Sequence, residues 1–454
     1  MKRILLSTVT IISLSACSVT PEYSRPTLDQ PTIWEGETSD KSEVIPYAWW
    51  ESFEDETLNS LMAAALEKNT DITAGIQVVE QSRAALKISG ADLWPSLKLD
   101  NGISTSNTNP NTGARYETNR YSAGLSASYE LDLFGGNRAD KDAARANLLS
   151  SIYSQDALEL VVMADVAQNY FTLLNLYERL GIADKNLSSR REVLRIIQIR
   201  VNEGADSDLE LAQQRNLVAS AEASRAQIIE LITNAKNALA VLLGRAPQGF
   251  SVAEKKLDGI QIPEIATGQP SELLERRPDI KAIEADLVAA NANIGAARAA
   301  FYPSVSLGID DTFSIAGFGD PSTSVLTLAA AITTPIFQGG ALQGSLDNAT
   351  ARQLELVEMY RGAVYESFKD VEDALAAVKA AKARKGFLET AMLQSRRAYS
   401  LSKERYDAGA IDFQTLLDTQ ISLLSAEDTY AQSRLSELTA SVLLYKAMGG
   451  GWSN

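Results

Sequence analysis

The stretch ARAAFYPSVSLGI, residues 297–309, changes from one secondary-structure pattern to another at a proline. Up to Phe301 it belongs to an alanine-rich run with helical spacing. After Pro303, apolar residues alternate with small or polar ones, as they do in a β-strand. The stretch GADLWPSLKL, residues 90–99, makes the same change at Pro95. Two such transitions, about two hundred residues apart, predict an internal repeat.

Other segments of the two halves match at nearly the same offset. The segment beginning at Leu133 corresponds to the one beginning at Ile336, 203 residues later, and the segment at Arg200 corresponds to that at Arg405. Each half reads as a helix, two strands, a very long helix, a tight turn and a long helix. The predicted divisions are repeat 1 at 51–248, a linker at 249–269, repeat 2 at 270–450 and a C-terminal tail at 451–454.

The long helices are predicted from apolar spacing and from the absence of proline. No proline falls between Pro110 and Pro247, and none follows Pro335. A continuous helix from about Ala139 to Val201 would extend roughly 90 Å at 1.5 Å per residue. Such a length favours a coiled-coil or tube architecture. The apolar face of this helix recurs every three or four residues, at Leu158, Val162, Val166, Tyr170, Leu173, Tyr177 and Leu180.

Each long helix is predicted to turn back on itself as a hairpin. Gly204 suits the left-handed backbone that ends a helix, and Ser207 with Glu210 forms a capping-box pattern for the next helix. In the second repeat, Gly409 and Asp412 take the corresponding positions.

The predicted strands have the pattern of membrane β-strands. In YSAGLSASYEL, residues 121–131, apolar and small polar residues alternate, and VSLGI at 305–309 and LTLAAAIT at 326–333 are similar. Segments of about ten such residues suit an outer-membrane barrel. Four strands are too few for a barrel, and an isolated hairpin would leave unpaired edges in lipid. Either the strands lie in a soluble sheet, or several chains pool them.

The N-terminus predicts secretion. Lys2 and Arg3 precede a largely apolar run and the sequence Leu14-Ser15-Ala16-Cys17. This ending resembles the bacterial lipoprotein box, which implies a signal peptide at 1–16, an acylated Cys17 and a lipidated extension at 17–50. The alternative is a plain signal peptide. No later segment has 18 uninterrupted apolar residues, so strands are expected to provide any membrane crossing.

Composition excludes several classes of function. The net charge of −16 argues against nucleic-acid binding, which needs a basic face. The chain has no histidine and a single cysteine, so the commonest general base and the usual zinc ligands are missing. We therefore predict no enzymatic activity, no catalytic residue, no metal site and no cofactor other than covalent lipid.

The chain resembles a known family along nearly its whole mature length. It is similar to the TolC-type outer-membrane efflux proteins, in the OprM/CusC-like lipoprotein branch that works with resistance-nodulation-division pumps. The segments that carry this resemblance are 273–307, WWESFEDETLNSLMAAALEKNTDI at 49–72, YELDLFG at 129–135, VAQNYF at 166–171 and MGGGW at 448–452.

The resemblance implies a fold, a location and partners. The expected fold is mostly α with a membrane β portion: a homotrimer in which four strands per chain give a twelve-stranded β-barrel continuous with an α-helical barrel. The expected location is the bacterial outer membrane, with a lipid anchor and an extension into the periplasm. The implied partners are a periplasmic membrane-fusion adaptor and an inner-membrane pump, and the chain would be the passive exit channel.

The hairpin tips are the implied functional residues. Asp418 matches the family's pore aspartate, and three copies near the axis would repel anions. Asp208 and Glu210, at the first tip, are further gate candidates, although charge at a helix N-terminus explains Asp208 equally well. The candidate adaptor contacts are Arg200, Gly204, Arg405 and Gly409, whose residue types helix termination also explains.

The cargo stays open at this point. Drugs and other small toxic compounds are the first reading. Copper or silver efflux is the alternative, although six methionines and no histidine offer few soft ligands. A lipid-anchored coiled-coil scaffold of the envelope would fit the helices but not the four strands.

Overall fold

The computed structural model describes residues 18–35, 45–108, 113, 116–263, 265, 269–316 and 321–450. The predicted signal peptide, the predicted acylation site at Cys17 and the predicted C-terminal tail therefore lie outside the described residues. The predicted divisions of the chain into repeats and linker stay a prediction, because compactness divides the described residues differently, as set out below.

The order of elements repeats once along the chain. Among the described residues, three short 3₁₀-helices accompany the main elements, at Trp49–Phe53, Leu257–Gly259 and Pro270–Glu272. The first set comprises α1 (Glu56–Lys68), α2 (Thr70–Ala91), β1 (Ser96–Thr108), β2 (Tyr116–Leu131), α3 (Gly136–Asn202) and α4 (Asp208–Leu242). The second comprises α5 (Leu273–Arg276), α6 (Pro278–Ala299), β3 (Ser304–Ile315), β4 (Ser322–Thr333), α7 (Ala341–Asp407) and α8 (Phe413–Ala447).

Helix lengths confirm the internal repeat. The helices α2 and α6 each have 22 residues, α3 and α7 each have 67, and α4 and α8 each have 35. Among the described helices, only α3 contains an apolar window long enough to span a membrane. More than half of that window is buried inside the structure, as in the core helix of a folded protein.

The predicted long helix is confirmed as α3, and it extends slightly beyond the apolar pattern that predicted it. It begins at Gly136 because Gly135 takes a left-handed conformation, with φ +80°, that turns the chain out of β2. The Asp132 carboxylate then accepts the backbone N–H groups of Asn137 at 3.2 Å and Arg138 at 3.0 Å. These bonds satisfy N–H groups of the first helical turn, which have no partner within the helix.

The four strands form one antiparallel sheet in the order β1-β2-β3-β4. The two hairpins are joined where β2 pairs with β3, and the last pair of that ladder is Leu131 with Val305. On one face, apolar side chains lie opposite one another, such as Leu99 with Leu125 and Ile309 with Leu328. Among the described strands, β1 and β4 each keep one edge without a neighbour.

The strands are longer than their alternating pattern predicts. The observed β2 starts five residues before Tyr121, and β3 continues beyond Ile309 through Asp310 and Asp311. The backbone ladder carries the extra length, because Asp311 pairs with Leu326 whatever its polarity.

The described residues divide into two compact units. Among the described residues, the sheet unit contains those at 18–28, 78–152 and 282–361, and the helical unit contains those at 29–77, 153–281 and 362–450. Both units draw residues from both halves of the chain.

In the sheet unit, the N-terminal segment lies along α6. The Arg25 guanidinium donates two hydrogen bonds to the Glu284 carboxylate, both at 2.6 Å. The Asn291 side chain donates to the carbonyl of Pro21 at 2.7 Å. At Gly295, Thr20 occupies the space that a Cβ atom would need, so the close approach requires glycine.

The core of the helical unit is built around aromatic rings. Trp49 is fully buried and stacks on Tyr445 of α8, with ring centroids 5.1 Å apart. Phe53 packs against Phe171 of α3 at 5.3 Å. The 3₁₀-helix Trp49–Phe53 thereby joins the two long helices through dispersion contacts and the burial of apolar surface.

Asp55 adds a polar anchor to this core. Its carboxylate caps α1 by accepting the N–H of Leu58 at 2.8 Å, and it also accepts the buried Tyr170 hydroxyl at 3.1 Å. The Lys255 ammonium lies 3.4 Å from the second oxygen. Burial raises the pKa of Tyr170, and the Asp55 carboxylate raises it further, so the hydroxyl stays a donor.

We expect Asp55→Ala to destabilise the protein by about 2–4 kcal/mol, because it removes a helix cap and the acceptor of the buried Tyr170 hydroxyl. Asp55→Asn keeps the acceptor oxygen and should cost less than half as much. Thermal unfolding of the detergent-extracted protein, followed by circular dichroism, measures both. Equal losses in the two variants would contradict this role for the cap.

Candidate gate at the helix hairpin tips

The two hairpin turns have the same backbone geometry. Gly204 has φ +74° and Gly409 has φ +71°, which is the left-handed region that glycine adopts without steric cost. In each turn the residue after the glycine donates its N–H, at 2.8 Å, to the carbonyl of the arginine four residues before the glycine, Arg200 or Arg405. The predicted turns are confirmed, and each glycine ends a 67-residue helix.

The helices that follow the turns begin with different caps. Ser207 and Glu210 form the predicted capping box: the Ser207 N–H donates to the Glu210 carboxylate at 2.8 Å, and the Glu210 N–H donates to the Ser207 hydroxyl at 3.4 Å. In the second hairpin, Asp412 accepts the N–H of Thr415 at 2.8 Å. Hydrogen bonds from the Thr415 side chain and backbone lower the pKa of Asp412. The Glu210 and Asp412 carboxylates therefore take part in the N-terminal caps of the helices that follow the turns.

The remaining predicted gate carboxylates are exposed. Asp418 lies in the second turn of α8, where its Oδ1 accepts a hydrogen bond from the Gln414 side chain at 2.9 Å. Asp208 is the first residue of α4. Both carboxylates are thus available to solvent, ions or another chain, whereas Glu210 is half-buried in its cap.

The two tips pack against each other through apolar side chains. Ile197 of the first hairpin lies in one cluster with Phe413, Leu416 and Leu417 of the second, and all four are buried. Since the cluster draws on both hairpins, a movement of one tip relative to the other would expose apolar surface.

Arg200 adds a polar link between the same tips. Its guanidinium lies over the Tyr406 ring, 5.5 Å from the ring centroid, and its Nε is 3.2 Å from the Asp206 carboxylate. Burial raises the pKa of Tyr406, although the charge of Arg200 acts in the opposite direction. Arg200, a predicted adaptor contact, is thus half-buried between hairpins, whereas Arg405 is exposed.

Deeper in the hairpins, buried polar side chains form a second set of links. Gln214 donates to the carbonyl of Arg190 at 2.8 Å, between α4 and α3. Gln420 of α8 donates to the Ser189 hydroxyl of α3 at 3.0 Å, and that hydroxyl is 2.9 Å from the Tyr399 hydroxyl. Sequence analysis missed these residues, because a glutamine at helical spacing looks like a surface residue until its partners are known.

The comparisons with known proteins agree on one family. A family model described as "Outer membrane efflux protein" matches residues 61–245 and 269–450. The chain is 36% identical to the pyoverdine export outer membrane protein OpmQ of Pseudomonas putida, covering 97% of this chain and 96% of that protein. It is 31% identical to the cation efflux system protein CusC of Escherichia coli, covering 97% of each chain.

A solved structure extends this similarity to the fold. The open-state crystal structure of the MtrE outer membrane channel of Neisseria gonorrhoeae is 33% identical. It superposes with a TM-score of 0.86 over 96% of this chain and 98% of that one. The predicted fold class, mostly helical with four strands per chain, is therefore confirmed.

Gly409→Ala should destabilise the second hairpin by about 1–2 kcal/mol, because a Cβ atom is strained in the left-handed region. Gly386→Ala is the matched control: this glycine lies within α7 with open space around it, and alanine there should stabilise by about 0.5–1 kcal/mol. Thermal unfolding midpoints of the two variants should therefore shift in opposite directions. A shift of the same sign in both would contradict the assigned turn geometry.

Proposed function

The chain belongs to the outer membrane efflux protein family, whose channels are trimers that work with efflux pumps, and from this premise we propose how it forms and gates its pore. The protein is an outer membrane efflux channel. Three copies pool their strands into one twelve-stranded β-barrel. The observation that carries this proposal is the sheet, in which β1 and β4 each have one edge without a neighbour among the described strands.

Lipid makes closure necessary. Backbone groups on a sheet edge find no water in the hydrocarbon core, so each unpaired group costs several kcal/mol. Four strands fall below the roughly eight strands of the smallest known barrels. Three copies of an even-stranded antiparallel sheet close without a mismatch, because the last strand of one copy runs antiparallel to the first strand of the next.

The proposed anchor and partners follow from the ends of the described elements. Ser18 lies beside Gly135, just after the end of β2. Acyl chains on Cys17, the residue before Ser18, are the proposed membrane anchor. Two similar hairpins per chain give a trimer six similar tips, which suits a periplasmic adaptor ring between this channel and an inner-membrane pump. Gly204, Gly409 and the exposed Arg405 are the proposed adaptor contacts, and Arg200 is a weaker candidate because it is held between the hairpins.

Asp418 is the proposed gate residue. Three exposed carboxylates brought close to one axis would repel anions and each other, and would be held by cations or by donors such as the neighbouring Gln414. Asp208 is proposed to add charge to the same ring. Glu210 is proposed to act indirectly, since its carboxylate fixes the start of α4.

The proposed cargo is a small organic toxic compound, such as a drug. Relatives of this fold are named for pyoverdine, for toluene and for cations, so the cargo differs between channels of one family. A copper or silver duct is the alternative, although six methionines and no histidine supply few soft ligands.

The drug resistance and copper tolerance of a deletion strain distinguish the two proposed classes of cargo. We expect loss of this protein to lower drug resistance several-fold and to leave copper tolerance unchanged, provided that other channels of the strain are deleted too. Restoration by the wild-type gene is the control. The opposite pattern would replace the drug reading with the metal reading and leave the channel itself intact.

Single-channel conductance in planar bilayers tests the gate. Wild-type currents should be small or flickering, and Asp418→Ala should give currents several-fold larger and more stable, because a ring of three charges is removed. Asp418→Asn should resemble Asp418→Ala if charge holds the gate. Glu389→Ala, which removes an exposed charge from α7 away from the tip, should match the wild type. Unchanged currents in both Asp418 variants would move the gate elsewhere.

A further inference from the structure

Two aromatic side chains flank the open edges of the sheet. Trp94 comes two residues before β1 and is 74% exposed, and Phe337 comes shortly after β4 and is 88% exposed. Ile336, beside Phe337, is 97% exposed. Both positions lie at the same end of the sheet, because the chain enters β1 and leaves β4 there.

Two aromatic residues at the same end of the sheet already contact each other within the chain, beside the paired strands β2 and β3. Where β2 pairs with β3, the Phe134 and Tyr302 rings stack with centroids 4.5 Å apart and an interplanar angle of 20°. They continue the strand register: Leu131 is opposite Val305, and three residues further along each chain segment are Phe134 and Tyr302. This stacked pair closes the junction between the first and second hairpins of the sheet.

By the internal repeat, Trp94 corresponds to Tyr302 and Phe337 corresponds to Phe134. Tyr302 precedes Pro303, as Trp94 precedes Pro95. Phe134 precedes the glycine pair 135–136, and Phe337 lies just before the glycine pair 339–340. Phe134 and Tyr302 stack on each other, whereas their repeat equivalents, Phe337 and Trp94, are exposed at opposite edges of the same sheet.

These two rings are separated within one chain. Their strands are three spacings apart in the sheet, which is about 14 Å at about 4.8 Å per spacing. A ring stack needs centroids within about 7 Å. The partner that each ring fits is thus the other ring of a second copy.

We propose that Phe337 of one copy stacks on Trp94 of the next copy, with Ile336 alongside, and that this aromatic clasp fixes the subunits just outside the barrel. The clasp rests on the proposed trimer and goes beyond it by naming the contact and its register. It is the intermolecular counterpart of the Phe134–Tyr302 stack.

The clasp also sets the register between copies. With Phe337 opposite Trp94, five steps along each antiparallel strand place Ile332 opposite Leu99, and four more place Leu328 opposite Ile103. All four side chains are exposed apolar residues on one face, and this arrangement matches the pairs within the sheet. A shift by one residue would set Thr327 and Ala331, from the other face of β4, opposite Ile103 and Leu99, and these apolar pairs would be lost.

Cysteine cross-linking tests the clasp in the full-length, detergent-extracted protein. The natural chain has one cysteine, so Trp94→Cys/Phe337→Cys introduces one new pair. Trp94 and Phe337 lie just beyond the ends of β1 and β4, so in the proposed register they face each other next to strand pairs whose Cα atoms are about 4.5–5.5 Å apart, which brings them within reach of a disulfide or a short cross-linker. Oxidation with copper phenanthroline, or treatment with a short bismaleimide, should give covalent dimers and trimers on denaturing gels.

Matched controls separate the clasp from general proximity. Each single-cysteine variant, which keeps Cys17, should stay monomeric on the same gels. Ile88→Cys/Phe337→Cys moves one thiol from position 94 to Ile88, an exposed residue of α2, and should also give no covalent oligomer. Equal cross-linking of this pair would overturn the proposed contact.

The mass of the wild-type protein, measured by light scattering, distinguishes two failures. A trimeric wild type with no cross-link in the Trp94→Cys/Phe337→Cys variant overturns the clasp and leaves the trimer; the rings would then face lipid headgroups. A wild type that is not trimeric overturns both proposals.

Alanine variants give an independent measure. Trp94→Ala, Phe337→Ala and the double variant should lower the temperature of trimer dissociation by similar amounts, because two rings that touch chiefly each other are coupled. Losses that simply add in the double variant would overturn the stack.

Discussion

The unpaired backbone edges of the β-sheet are the constraint on which the rest of the molecule depends. A lipid bilayer offers no hydrogen-bond partner to the exposed edges of β1 and β4, so a single chain with this sheet cannot be a finished membrane protein. Pairing with further copies removes both edges at once. The same pairing multiplies every other feature of the chain, including its two hairpin tips, its exposed carboxylates and the rings that flank the sheet. Association is therefore part of folding for this protein, and the pore is a consequence of association.

The internal repeat is most informative where its two halves differ. Both hairpins turn at a glycine with nearly the same φ, and both are followed by a 35-residue helix. The first tip carries the inward link, Arg200 over Tyr406 with Asp206 beside it, whereas the equivalent Arg405 is exposed. The second tip carries the exposed Asp418. Near-identical geometry thus supports two roles: one hairpin supplies the cation that holds the tips together, and the other supplies the charge proposed to narrow the pore.

Local sequence patterns predicted most of the fold, but they did not predict contacts between residues far apart in the sequence. Helix periodicity, the glycine turns and the Ser207–Glu210 capping box depend on neighbouring residues, so the sequence indicated them within a few positions. Strand ends were missed because ladder hydrogen bonds extend β3 through Asp310 and Asp311 regardless of side-chain polarity. The inter-hairpin partners of Arg200 and Gln420 lie about two hundred residues away, and no local pattern marks them. For the proposed gate, the sequence indicated Asp418 and Asp208 and also the capping box that holds Glu210, but not the contact of Arg200 with Tyr406.

The residue pattern of the strands also explains why the sequence of this chain does not indicate its cargo. If the apolar face of the sheet meets lipid, the opposite face of β2 lines the pore, and between Ser122 and Ser128 that face carries only serine and glycine. This part of the lining offers short hydroxyl groups and backbone, and the paired strands add the charges of Lys98, Asp100 and Asp310 on the same face, so it would bind uncharged solutes weakly and release them. Weak binding is what a passive duct needs, because a solute held tightly would block the only exit. Discrimination between solutes then belongs to the pump that loads the duct. Relatives named for pyoverdine, toluene and cations can accordingly share one fold, since a lining that selects little places few demands on the sequence.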